Sequence, residues 1–183
     1  MKRKRIKSVL VLFAILAFAA GTGVLADAPT EYEIKAAFIH NIAKLVEWPN
    51  PPPGANALRL CILGKNPFGH AIDILRGKQV GNLTWEVLPA DPKTDLKECR
   101  VLFIAASESD DLGSVLDGIK GDATLTIGDT AGYAERGVIV NFYMEQNRVR
   151  LEVNVEAAQQ AGLRIGSQLL KLAKIVHGTG AGP

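Results

Sequence analysis

The chain has 183 residues, 48% hydrophobic, 22% charged and 6% aromatic, with 21 Lys+Arg against 19 Asp+Glu, two cysteines and three histidines. That apolar fraction is enough for one buried core and excludes intrinsic disorder, collagen-like repetition and a disulfide-dense miniprotein. Five basic residues (Lys2, Arg3, Lys4, Arg5, Lys7) precede the first acid, and beyond residue 26 the acids outnumber the bases by 19 to 16, so no surface for DNA or RNA is expected.

The amino terminus reads as an address. A basic stretch leads into an uninterrupted apolar run from Val9 to Ala20, then Gly21-Thr22-Gly23 and Val24-Leu25-Ala26, which reproduce the three regions of a secretory signal peptide. Cleavage is expected after Ala26, because a cut after Ala28 would place Pro29 directly behind it. The apolar run spans roughly 18 Å as a helix, short of the ~30 Å hydrocarbon core. The expected product is an exported single domain over residues 27–183.

Thr30 and Glu33 form a capping-box signature, and Ile34, Phe38, Ile42 and Leu45 recur at helical spacing up to Trp48-Pro49. One amphipathic helix opens the domain. Pro51, Pro52, Pro53 and Gly54 end it in a stiff connector. Short apolar runs follow at Leu58–Leu63, Leu83–Leu88, Val101–Ala105 and Ala123–Ile127, with helical patterns at Phe68–Leu75 and Asp111–Ile119 between them. Alternating strands and helices predict an α/β layered sandwich with a mostly parallel central sheet.

The period then changes to two. Val138, Val140, Phe142 and Met144 alternate with Ile139, Asn141 and Tyr143, and after Glu145-Gln146-Asn147 the pattern resumes at Val149, Leu151, Val153 and Val155. This predicts a C-terminal antiparallel β-hairpin. A last helix is expected through Leu169, Leu170, Leu172, Ala173 and Val176, with residues 178–183 as a flexible tail.

Chemistry is hard to find. Gly64-Lys65-Asn66-Pro67-Phe68-Gly69-His70-Ala71 stands where a phosphate loop would, but His70 and Ala71 replace the Lys and Ser/Thr that reach phosphate and magnesium. His40, His70 and His177 have no His or Cys at ligand spacing, so no metal is expected. Ser107 and Ser114 lack a nucleophile elbow, and Asp110-Asp111 read as charges at a helix start. Trp48 reads as core closure. No catalytic residue and no cofactor are expected; the chain is not read as an enzyme.

Two features remain. Cys61 and Cys99 form the only cysteine pair, and an even count in an exported chain favours a bridge; the alternative is that Cys61 is a small buried apolar side chain within Leu58–Leu63. The second arm of the hairpin places Arg148, Arg150, Glu152 and Asn154 on one face, with Arg164 following. Such a face is commonly a solvated edge, but Arg beside a carboxylate also suits a protein-recognition rim.

Several segments resemble the YfiR family of exported bacterial proteins. They are Glu31–Pro49, Leu60-Cys61-Ile62-Leu63-Gly64, Cys99–Ile104, Leu125-Thr126-Ile127, Gly137-Val138-Ile139, Arg148–Asn154, Ala161-Gly162-Leu163 and Leu169–Ala173. The resemblance implies a periplasmic α/β repressor that binds the sensory part of an inner-membrane diguanylate cyclase of the YfiN type, lowering cyclic di-GMP and biofilm formation. Arg150, Glu152, Asn154 and Arg164 are expected to face the partner, because they combine the family's hairpin signature with the periodicity of an exposed face; the resemblance also implies Cys61 and Cys99 as one of the family's cysteine pairs. The second pair that members can carry near the hairpin is missing here. A periplasmic small-molecule sensory module, its ligand seated near Trp48 or Arg164 and acting on another membrane partner such as a histidine kinase, is the alternative; a homodimer is also open.

Overall fold

The computed structural model describes residues 28–49 and 56–178. The expected signal peptide with its cleavage after Ala26, the Pro51–Gly54 connector and residues 179–183 of the expected tail lie outside the described residues.

The first helix, α1 (Glu31–Lys44), starts as its capping box requires: Glu33 N donates to Thr30 Oγ1 at 3.3 Å, and Thr30 N donates to Glu33 Oε2 at 2.7 Å. Its buried stripe is Ala36, Ile39, Ile42 and Ala43, with Lys35 among them. Of the expected stripe, Ile42 is buried, while Ile34, Phe38 and Leu45 pack only partly buried beside it. Small Ala36 and Ala43 let the helix backbone lie close to the sheet, which rotates the contact line away from the bulkier positions.

A short strand β1 (Val46–Glu47) follows, then β2 (Ala57–Leu63), a 3-10 helix over Gly69–Leu75, β3 (Gln79–Val80), β4 (Leu83–Ala90), β5 (Val101–Ile104), α2 (Leu112–Gly118), β6 (Leu125–Gly128), β7 (Val140–Glu145) and β8 (Arg148–Asn154). After these come α3 (Val155–Gln160), β9 (Arg164–Ile165), α4 (Ser167–Leu170) and β10 (Lys174–Val176). One eight-stranded sheet runs in the order β10-β8-β7-β6-β5-β2-β4-β3, and β1 pairs with β9 in a small antiparallel ribbon. In the large sheet only the pairs β3–β4 and β7–β8 are antiparallel. The chain is thus an α/β sandwich with a mostly parallel central sheet and an antiparallel hairpin.

The central strands are apolar on both faces because both are covered. Leu58, Leu60, Ile62, Val101, Phe103, Leu125 and Ile127 face the larger core with α1 and the 3-10 helix. Cys61, Leu63, Leu102 and Ile104 face a second cluster closed by Leu112, Ile119, Tyr133 and Val138. The Cys61–Cys99 bridge is formed on this second face, with Cα atoms 5.7 Å apart and both residues buried.

The expected last helix is corrected. Helix stops at Leu170, and Lys174–Val176 form the outer strand of the sheet, parallel to β8 through Lys174↔Glu152 and Val176↔Asn154. Leu172 is left 69% exposed, so the helical spacing of leucines does not describe one buried face. The Phe68–Leu75 pattern is realised as the tighter 3-10 form.

The hairpin turn explains the register. Glu145 pairs with Arg148, leaving Gln146 (φ 49°) and Asn147 (φ 58°) as a two-residue loop with both residues left-handed, the arrangement that matches strand twist. Glutamine is a poor occupant of that region, whereas asparagine adopts it several times more readily. Gln146→Asn is expected to raise the unfolding free energy by roughly 0.5 kcal/mol, a gain that thermal unfolding would register.

Candidate functional site

The hairpin builds the polar face from its alternation. On β8, Arg148, Arg150, Glu152 and Asn154 do share one side, the side of the sheet that also carries the disulfide, and β7 adds Asn141 and Tyr143 opposite Glu152 and Arg150. Exposure fades along the strand. Arg148 and Arg150 are exposed and Tyr143 is partly so, while Glu152 is only 8% exposed and Asn154 2%.

The two ends therefore do different work. Arg150 Nε lies 3.3 Å from Glu145 Oε2, a diagonal cross-strand ion pair between half-exposed side chains; such pairs contribute about 0–1 kcal/mol. Further in, Glu152 Oε1 lies 3.0 Å from Lys174 Nζ, and Glu152 Oε2 accepts from Asn141 Nδ2 at 3.3 Å. That carboxylate ties the outer strand β10 to β8, and its hydrogen bond and charge hold the Lys174 amine above its ordinary pKa. Asn154 accepts from Ala157 N at 2.8 Å, capping α3, and donates through Nδ2 to Ala134 O at 2.8 Å. Its expected place on an open face is corrected: it is a buried cap that fastens the 130–138 loop. Glu152 is likewise covered, held between Asn141 of β7 and Lys174 of β10.

Arg164 is exposed but belongs to the other sheet, in β9 opposite Glu47 of β1. The ribbon is held to the end of α1 by Gly166 N, which donates to Leu45 O at 2.7 Å. Gly166 has no room for a side chain, since a Cβ would come within 2.8 Å of that carbonyl.

The phosphate-loop lookalike sits at the carboxyl end of β2, where α/β sheets place ligands. Here it is closed by protein. Gly64 has φ +85° and a Cβ on it would overlap Ser107 and Glu108, while Lys65 N donates to Ser107 Oγ at 2.9 Å. Phe68 packs edge-on against Phe103 and Tyr32. Ser107 is thus a structural acceptor, and Ser114 lines a groove of about 450 Å³ beside Asp111. The histidines are apart: His40 meets Trp85, His70 meets Asp73, and His177 lies 2.7 Å from Glu156. Trp48 packs partly buried against the larger core, as expected. Among the described residues no group of three or more His, Cys, Asp or Glu could hold a metal.

A buried ion pair at the crest of β6 escapes the sequence reading. Lys35 Nζ lies 2.8 Å from Asp129 Oδ2, which also accepts from Tyr32 Oη at 3.1 Å, and Lys35 lies 4.5 Å from the Tyr32 ring centroid. Burial works against the Lys35 charge, but hydrogen bonds to Asp129 and Glu31 outweigh it and hold the amine above its ordinary pKa. Burial, then the Asp129 charge, push the Tyr32 hydroxyl up as well. The available signal was a lysine on the stripe Ala36, Ile39, Ala43.

The model of the YfiR/HmsC-like family matches residues 32–174. No curated protein matches the chain. Among solved structures, a conserved domain protein from Vibrio cholerae O1 biovar El Tor superposes with TM-score 0.52 at 14% identity, over 80% of this chain and 60% of that one. An ABC domain in complex with L-Trp from Streptococcus pneumoniae superposes with TM-score 0.51 at 11% identity, over 75% and 59%. The chain spans about 60% of the length of these structures, and the likeness establishes the fold.

Proposed function

We propose that this chain, which belongs to the YfiR/HmsC-like family, is a periplasmic regulator that lowers cyclic di-GMP by docking on the sensory part of an inner-membrane diguanylate cyclase. The observation that carries the reading is the family match over residues 32–174. Regulation of this kind needs no reacting group. It needs tighter binding to the inactive cyclase than to the active one, and only that difference shifts the population.

The partner-facing residues in this reading are Arg150 and Arg164, with Arg148 and Tyr143 beside Arg150. Glu152 and Asn154 lie beneath the Arg150 face and shape it, through Lys174, Asn141 and the Ala134 carbonyl. Exposed arginines on a rigid strand lose little conformational freedom on docking and offer directional pairing to carboxylates. In a strain carrying Arg150→Glu with Arg164→Glu, we expect raised cyclic di-GMP, loss of membrane co-purification and an unchanged thermal transition. An anchor arginine is worth about 2 kcal/mol, some 30-fold in affinity. Unchanged cyclic di-GMP with both substitutions would remove the assignment.

One observation favours the second reading, a small-molecule sensory module acting on another partner. A groove of about 480 Å³ at the amino end of β6 is lined by Asp122, Thr124, Arg136, Ile139 and Gln160 among others, and an Asp122 carboxylate oxygen is buried there without a protein partner. Trp48 and Arg164 do not line it. A neighbouring gene encoding a membrane protein with a GGDEF output domain favours the first reading over this one.

A further inference from the structure

We infer that the hydrogen bond between Trp85 and His40 is an acid-sensitive latch holding α1 against β4. Trp85 is 2% exposed, and its indole Nε1–H donates to His40 Nδ1 at 2.9 Å. An indole nitrogen can only donate, so Nδ1 must present a lone pair; His40 is neutral, with its proton on Nε2. Protonation converts that acceptor into a donor. Two N–H groups then face each other, the imidazolium has to turn away, and the buried indole loses its partner.

The surroundings make this a switch rather than an incidental contact. The charged groups acting on His40 are Lys44 on α1 and Lys78 just before β3, both cations. Burial first, and these two charges next, hold the imidazole below its ordinary pKa. The neutral state therefore contributes stability above the ordinary imidazole value of about 6.5, and that contribution is lost as pH falls below it.

Loosening α1 would also reach the β1–β9 ribbon that carries Arg164, because Leu45 O accepts from Gly166 N directly after the helix. The latch is a property of the fold and does not depend on which partner is bound.

The chain has two tryptophans, so Trp48→Phe leaves Trp85 as the sole fluorophore. In that background we expect a fluorescence step between pH 7.5 and 5. Over the same range, amide exchange in α1 should accelerate up to about tenfold after correction for its intrinsic pH dependence, the scale of one lost hydrogen bond. His40→Gln keeps an acceptor oxygen and cannot titrate, so the step should vanish while the fold persists. Nitrogen chemical shifts of the His40 ring provide a measurement without substitution, expected to show the Nε2–H form at pH 7.5. A step of the same size in His40→Gln, a flat wild-type profile, or a ring already charged or carrying its proton on Nδ1 at pH 7.5 would each overturn the inference.

Discussion

Replacing Cys61 and Cys99 together by alanine is expected to lower the unfolding free energy by about 4 kcal/mol, the loop-closure value for a bridge between residues 38 apart. The location favours the full effect. Cys61 lies within β2 and Cys99 just before β5, neighbouring parallel strands whose connection runs through the 3-10 helix, β3 and β4, so the bridge closes a loop that the unfolded chain would otherwise leave open. Both residues are buried in the cluster with Leu102, Ile104 and Leu112, and the lost sulfur contacts add to the entropic term rather than offsetting it. Exposed pairs nearby cannot compensate. Arg59 with Glu86 and Glu98 is largely solvated, and such pairs contribute about 0–1 kcal/mol. Urea unfolding of the double variant beside oxidised wild type measures the difference, and a loss below about 1 kcal/mol would show that the bridge does not limit the unfolded ensemble. Serine at either position should cost more than alanine, because it leaves a hydroxyl in an apolar cluster.

The elements that were legible in the sequence are those whose partners are local. Thr30 and Glu33 are three residues apart and make their bonds to each other's backbone, so α1 could be read directly. The runs at Leu58–Leu63 and Val101–Ala105 read as strands because a strand covered on both faces is apolar throughout. The hairpin followed from its period of two. The elements that escaped depend on distant partners. Lys174–Val176 become a strand only because β8 offers a free edge alongside Glu152–Asn154, which a helical count of leucines cannot register. Exposure along β8 failed for the same reason. Alternation assigns Arg150 and Asn154 to one side, but the 130–138 loop covers one and not the other. Lys35 is the sharpest case, since its counter-ion Asp129 is 94 residues away.

That pair supports the second large effect. Asp129→Ala is expected to cost about 3 kcal/mol, toward the lower end for breaking a buried pair, because Glu31 remains beside the orphaned ammonium. Lys35 is 3% exposed, and the Tyr32 hydroxyl loses its acceptor in the same change. Removing both charges should behave differently. Lys35→Met with Asp129→Leu replaces two desolvated ions by apolar volume, and is expected to recover most of the loss. The recovery separates a penalty for an unpaired charge from a penalty for lost packing, which the single variant alone cannot do. Because the Lys35 amine is held above its ordinary pKa, its contribution is complete below about pH 10 and falls only as pH rises further. The cost of Asp129→Ala should therefore be the same at pH 7 and pH 9. A double variant as unstable as Asp129→Ala would show that side-chain packing at the crest of β6, rather than the ion pair, fixes α1 there.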